Sequence, residues 1–256
     1  MIPIGDDNTD RTRTPYLNYL LVAANVLVFV LFQRLGTNER FTYAFATVPQ
    51  EIVTGDDLDR PIIVRDPLSG DVAGTVPLQP TPIPVYLTLL TSMFMHGGLA
   101  HIFGNMLYLW IFGDNIEDRL GHGRYLAFYL LCGILAGLAH VLVTVVLKQN
   151  PLLPALGASG AISGVLGGYM VLHPKRRVRV LMMRTIQEVP AIVAIGFWFL
   201  FQLVSGLGML GGGAQAGGVA YGAHIGGFLA GVGLIKLFAA GPSPSLPPGE
   251  GSGVRG

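Results

Sequence analysis

Charged residues cut this chain into a few long uncharged stretches. They run between Arg13 and Arg34, Asp71 and Asp114, Arg124 and Lys148, Lys148 and Lys175, and Glu188 and Lys236. Crossing a bilayer takes roughly 20 apolar residues, so each of the first three stretches predicts one span. In the fourth, Pro151 and Pro154 hold the helix start back to about Leu156 and leave a short helix. The fifth is too long for one helix, and "SGLGMLGGGAQAGG" at 205–218 has the composition of a loop that divides it. The predicted spans are 16–33, 92–112, 125–147, 157–172, 189–205 and 219–238. The pattern therefore predicts an all-α polytopic membrane protein, a bundle of six transmembrane helices. Residues 1–15 form an N-terminal segment, 16–240 the membrane domain with a long outer loop at 34–91, and 241–256 a tail. The tail is rich in proline, glycine and serine, has nothing to bury and is expected to be disordered.

Composition agrees with a membrane setting. Of 256 residues 51% are hydrophobic and only 12% charged, below the charged fraction of ordinary soluble domains. The net charge of +1 offers no general attraction to nucleic acid, which is excluded as a partner; the lipid bilayer is the expected one. Basic residues gather locally in "HPKRRVRVLMMR", with Lys175, Arg176, Arg177, Arg179 and Arg184. By the positive-inside rule that loop is cytoplasmic. Six spans then place both termini in the cytoplasm, as for a bacterial plasma (inner) membrane protein, and turn the acidic 34–91 loop outward. The start "MIPIGDDNTDRTRTPY" lacks the basic and apolar regions of a secretory signal, so the first span is expected to direct membrane insertion. Cys132 has no partner for an intrachain disulfide and reads as a small buried hydrophobe.

Polar groups inside spans are costly and default to functional candidates. Span two carries His96, His101 and Asn105, span three His140, span four Ser159 and Ser163, and span six His224. Counted at 1.5 Å per residue from the cytoplasmic ends, Ser159, His224 and His101 lie roughly 21, 18 and 20 Å deep. They share a level in the outer part of the bilayer. His101 and Asn105, four apart, share a helix face. Gly160, Gly164 and Gly168 line span four, and Gly227 and Gly231 line span six, at a spacing that lets helix backbones approach closely. Close approach would hold the His224 imidazole against the Ser159 hydroxyl, which is a weak nucleophile without an adjacent base. With no Asp or Glu in spans two to six, the reading is a Ser/His dyad. The start of the Ser159 helix, with its free N–H groups, together with His101 and Asn105, would supply oxyanion donors. The plainer reading makes Ser159 a packing residue bonded to its own helix. His96, His140, Cys132 and the Met182/Met183 pair are read as structural, and Ser163, one turn deeper, is the rival nucleophile. The polar set does not form a closed ligand cage with carboxylates, so no metal and no cofactor is expected.

These residues resemble the rhomboid intramembrane serine proteases. The likeness covers spans two to six, about 85–238, and rests on "GASG" at 157–160, "HIFGN" at 101–105 and "AHIGGFLAG" at 223–231. It implies Ser159 as nucleophile, His224 as base, His101 and Asn105 in the oxyanion hole, and Gly157, Gly160, Gly227 and Gly231 as supporting residues. Glu117 and Arg119 also look like the family's conventional pair. The implied substrates are single-pass membrane proteins, cut near the outward end of a transmembrane segment. The glycine-rich 206–218 would cap the site, and "GFWFLF" at 196–201 would face lipid or gate it. The chain departs from the family at Ser163, where an aromatic residue often stacks on the histidine; Ser163 or Tyr221 is then expected to orient the ring. The alternatives are a pseudoprotease that binds membrane clients and a small transporter. The first typically lacks the serine or histidine, and the second needs polar residues across the full depth.

Overall fold

The computed structural model describes residues 1–65, 72–76, 78–210 and 220–240. The predicted tail at 241–256 and most of the predicted cap, 211–218, lie outside the described residues. The chain opens with strand β1 (Ile2–Asp6), followed by helix α1 (Tyr16–Leu27), which runs into a π-helical turn at Val28–Phe32. The segment after it holds short helices α2 (Glu39–Ala44) and α3 (Pro49–Thr54), strands β2 (Ile62–Arg65) and β3 (Val72–Val76), and helix α4 (Thr88–Thr91). The remaining elements are α5 (Leu99–Leu120), α6 (His122–Val146), α7 (Ser159–Leu172), β4 (Arg177–Met182), β5 (Thr185–Pro190), α8 (Ala191–Leu210) and α9 (Tyr221–Ala239).

Among the described residues α6 and α9 are each long and apolar enough to cross a membrane. A third crossing is available if Val85–Phe94 and α5 are counted together across their 81° bend. Tyr16–Phe32, α7 and Ala191–Gly206 are shorter apolar helices. The second predicted span therefore needs correction, from 92–112 to a helix at Leu99–Leu120. Hydropathy does not register the break at "MHGG". Nor does a charge boundary at Asp114 end the helix, because Asp114, Asn115 and Glu117 are buried and hydrogen-bonded. The all-α reading needs a second correction. The basic loop is a hairpin, β4–β5, and β1 pairs antiparallel with β4 to complete a three-stranded sheet. A second, two-stranded sheet, β2–β3, lies in the 34–91 segment.

At the sheet end of the bundle, buried side chains tie the N-terminal segment to α5. Glu117 accepts from the backbone N–H groups of Leu17 (2.9 Å) and Asn18 (2.7 Å), so it caps the first turn of α1. Asp6 accepts from Tyr169 Oη at 2.6 Å and Asn115 Nδ2 at 2.8 Å. Arg176 reaches Asn115 and Asp10. The core beside this network is aromatic, with Tyr125, Phe128, Tyr129 and Tyr169 fully buried.

The opposite end is organised by segment 34–91. Gln33 donates to Thr42 Oγ1 (2.8 Å) and to the His96 carbonyl (2.9 Å), and accepts from the His96 N–H at 2.9 Å. Thr47 and Ala155 exchange backbone bonds of 2.9 and 2.8 Å, and Gly157 N donates to Ser92 O at 2.9 Å. This segment thus helps to fix both the turn before α5 and the turn before α7.

Helices α7 and α9 meet through glycine. A methyl group on Gly227 would strike Gly160 O, and one on Gly231 would strike Gly164 O. Gly160 and Gly164 in turn face Ala136 and Cys132 of α6. Three helices therefore pack at backbone distance around a column of residues with almost no side chain.

Candidate active site

That close packing places the first residue of α7 against the first turn of α9. Ser159 Oγ and His224 Nε2 are 2.8 Å apart. Ser159 starts its helix, where the first backbone N–H groups have no intrahelical acceptor and the dipole favours an anion. Both side chains are half-buried, so the pair lies in a cleft of the bundle.

Gly157 adopts φ +122°, in the region that favours glycine, and this turn delivers the chain into α7. The absent side chain leaves a space in front of two donors. A Cβ there would lie 2.8 Å from His101 Nε2 and 3.6 Å from Asn105 Nδ2. His101 Nδ1 accepts the Gly97 N–H at 3.3 Å, so the neutral ring carries its proton on Nε2, which faces the space. Asn105 Nδ2 is buried and has no hydrogen-bond partner among the described residues. A buried donor left unpaired is costly, and this one points where a substrate oxygen could satisfy it.

The remaining sequence candidates fall elsewhere. Ser163 is buried and its hydroxyl donates to Ser159 O at 2.6 Å, one turn back on its own helix. It does not reach His224. Tyr221 presents its ring edge-on to His224 with centroids 6.4 Å apart and no hydrogen bond. Neither residue orients the imidazole as expected. His96 is buried with its ring edge-on to His101 at 5.1 Å. Cys132 is a buried free thiol under Gly164.

Sequence reasoning missed Gln202. Its Oε1 lies 2.8 Å from His224 Nδ1, and the residue is 6% exposed. The signal was present, since an amide within "GFWFLFQLV" is as costly in an apolar helix as the histidines counted above. Of the aromatic run around it, Phe197 and Phe201 are exposed, whereas Trp198 stands 6.2 Å from the His224 ring and 6.3 Å from Phe228. A cavity of about 330 Å³ opens between α5 and α8 toward the sheet end, lined by Met1, Pro3, Tyr108, Phe112, Val180 and Trp198 among others.

Comparison with known proteins settles the family. The model of the Rhomboid domain matches residues 84–240, from the turns before α5 through α9. The chain belongs to the rhomboid family. It is accordingly a helical integral membrane protein. This rhomboid is 29% identical over 203 residues to rhomboid protease GluP of Bacillus subtilis, a match covering 77% of the chain and 33% of that protein. It is 29% identical over 222 residues to the mitochondrial Rhomboid protein 1 of Saccharomyces cerevisiae, covering 87% of the chain and 53% of the relative. To the human presenilin-associated rhomboid-like protein, mitochondrial, it is 33% identical over 93 residues, 36% of the chain and 24% of the relative. The chain thus spans a third of the Bacillus protein and about half of the yeast one.

Proposed function

We propose that this rhomboid is an intramembrane serine endopeptidase that cleaves single-pass membrane proteins through an acyl-enzyme. The observation that carries the reading is the 2.8 Å hydrogen bond between Ser159 Oγ and His224 Nε2. A serine serving only helix packing would bond its own backbone, as Ser163 does. Both members of the dyad are present and in contact, which speaks against a pseudoprotease. His101, Asn105, Ser159, Gln202 and His224 gather at one end of α7 and α9, which speaks against a transport path.

In this mechanism Ser159 Oγ attacks the scissile carbonyl carbon while its proton passes to His224 Nε2. The carbonyl oxygen becomes an oxyanion in the space beside Gly157, where His101 Nε2–H and Asn105 Nδ2–H meet it. The imidazolium then gives its proton to the departing amine. Water deprotonated by the same nitrogen releases the acyl group. The six apolar helices act as six spans with both termini in the cytoplasm of a bacterium, because the densest basic cluster lies on the β4–β5 side. Ser159 then lies toward the outer face. Substrate enters between α5 and α8, beside Trp198, and water reaches the site from the 34–91 side.

The test is reconstitution in liposomes with a panel of labelled transmembrane peptides, beside fluorophosphonate labelling in detergent. Wild-type protein is expected to cut at least one peptide and to label, and Ser159→Ala to do neither while remaining monodisperse. Hydrolysis that survives Ser159→Ala would overturn the assignment.

A further inference from the structure

Gln202 is a primary amide in the middle of an aromatic and aliphatic run, on a different helix from either member of the dyad. Among the described residues it makes one hydrogen bond, to His224 Nδ1. An amide oxygen can only accept, so the proton of the neutral imidazole must sit on Nδ1. Nε2 then presents its lone pair to the Ser159 hydroxyl, the tautomer a general base requires. Among the described residues the other groups near the ring leave this task undone. Ser163 is bound to Ser159 O, Tyr221 and Trp198 make only ring contacts, and no Asp or Glu is bonded to Nδ1.

We propose that Gln202 is the positioning residue of this site, completing a Ser159–His224–Gln202 relay of hydrogen bonds in place of the aromatic stack absent at Ser163. The proposal rests on the protease reading above. In the proton balance, the Ser159 proton moves to Nε2, Nδ1 keeps its own, and Gln202 neither gains nor loses one. When the ring becomes imidazolium, the Nδ1–H···Oε1 bond becomes charge-assisted and strengthens. A neutral amide can occupy a bilayer at a fraction of the cost of a carboxylate. It still fixes the tautomer, while stabilising the imidazolium less than an aspartate would.

Two substitutions in the full chain, assayed in liposomes, separate positioning from packing. Gln202→Met keeps the length and the apolar contacts but removes the acceptor. It is expected to lower kcat on the order of 10- to 100-fold with KM little changed, because a misdirected base costs rate in the chemical step. Gln202→Glu restores an acceptor. It is expected to recover kcat and to move the acidic limb of the pH–rate profile upward, since a carboxylate favours the imidazolium. The titratable groups facing the ring from other elements, His101 on α5 and His140 on α6, are the same in both variants. A monodisperse Gln202→Met enzyme with wild-type kcat and pH profile would overturn the proposal.

A measurement independent of turnover guards against misfolded variants. In ¹⁵N-histidine-labelled wild-type protein, His224 should show a protonated Nδ1 and a bare Nε2; the opposite tautomer overturns the proposal. If the Nδ1–H tautomer is found but wild-type protein hydrolyses no peptide and takes no probe, the protease reading falls and the catalytic role falls with it. The contact itself would stand.

Discussion

The carbonyl oxygen of Gly160 occupies the position where any side chain at Gly227 would begin. The obstacle is backbone, so it cannot swing aside as a flexible side chain would. Gly227→Ala must push α9 away from α7, and hydrogen-bond reach between Ser159 and His224 leaves little slack. Displacement of about 1 Å costs roughly 100-fold in rate. Gly227→Ala is expected to retain a few per cent of liposome proteolysis, and Gly227→Val none, with overpacking also costing about 1–3 kcal/mol of stability. Leu229→Val, on an exposed position of the same helix, should behave as wild type. Full activity in Gly227→Val would mean that α7 and α9 do not meet through these glycines.

Ser163 is expected to be dispensable for the nucleophile's reactivity. Its hydroxyl is spent on Ser159 O, and losing one such bond costs about 0.5–1.5 kcal/mol. Ser163→Ala should take up a fluorophosphonate at a rate within a few-fold of wild type, whereas Ser159→Ala takes up none. Mass spectrometry of the labelled peptide distinguishes the two, because both serines fall in one segment. Loss of labelling in Ser163→Ala alone would move the assignment to Ser163.

The dyad was legible because a polar group in an apolar run is expensive, and few such groups occur at one depth. The glycine stripes were legible because i, i+4 spacing is a surface in a helix. The sheets were not read, although "RVRV" alternates exposed Arg177 and Arg179 with buried Val178 and Val180 as a strand does. A charge count treats that stretch as a cytoplasmic loop and passes over its period. β1 could not be found locally at all. Five residues gain their structure from β4 and from the burial of Asp6 beside Asn115 and Tyr169. Gln202 is harder to single out for another reason: it lies in an aromatic run that reads as lipid-facing, and it stands in none of the three motifs.

Glu51 gives the 34–91 segment a pH dependence. It is buried, and burial pushes its carboxyl up to about 7, with the Leu58 N–H opposing and Asp57 adding to the shift. From an ordinary value of 4.5 to about 7, the folded segment holds a proton that the unfolded segment releases. Stability is therefore greatest at low pH, falls as pH rises through that window, and levels off above it. Hydrogen exchange across residues 49–58 should quicken from pH 5 to pH 7.5, beyond the intrinsic base catalysis of exchange. Glu51→Gln should remove that excess. An excess of the same size in Glu51→Gln would show that Glu51 is not its source.

Arg176 should differ sharply from its neighbours in the basic cluster. Its guanidinium donates to Asn115 Oδ1 and to the Asp7 carbonyl and pairs with Asp10 at 2.6 Å, so it joins the segment after β1 to α5. Ala191 N also donates to the Arg176 carbonyl at 2.8 Å, which starts α8 from this residue. Removing the side chain takes its donor from Asn115 Oδ1 on a buried residue. Arg176→Ala is expected to cost about 1–3 kcal/mol and to lower the thermal midpoint in detergent by several degrees. Lys175→Ala, on an exposed side chain, should stay within about 0.5 kcal/mol of wild type. Equal midpoints for the two variants would show that the cluster serves membrane orientation by its charge alone.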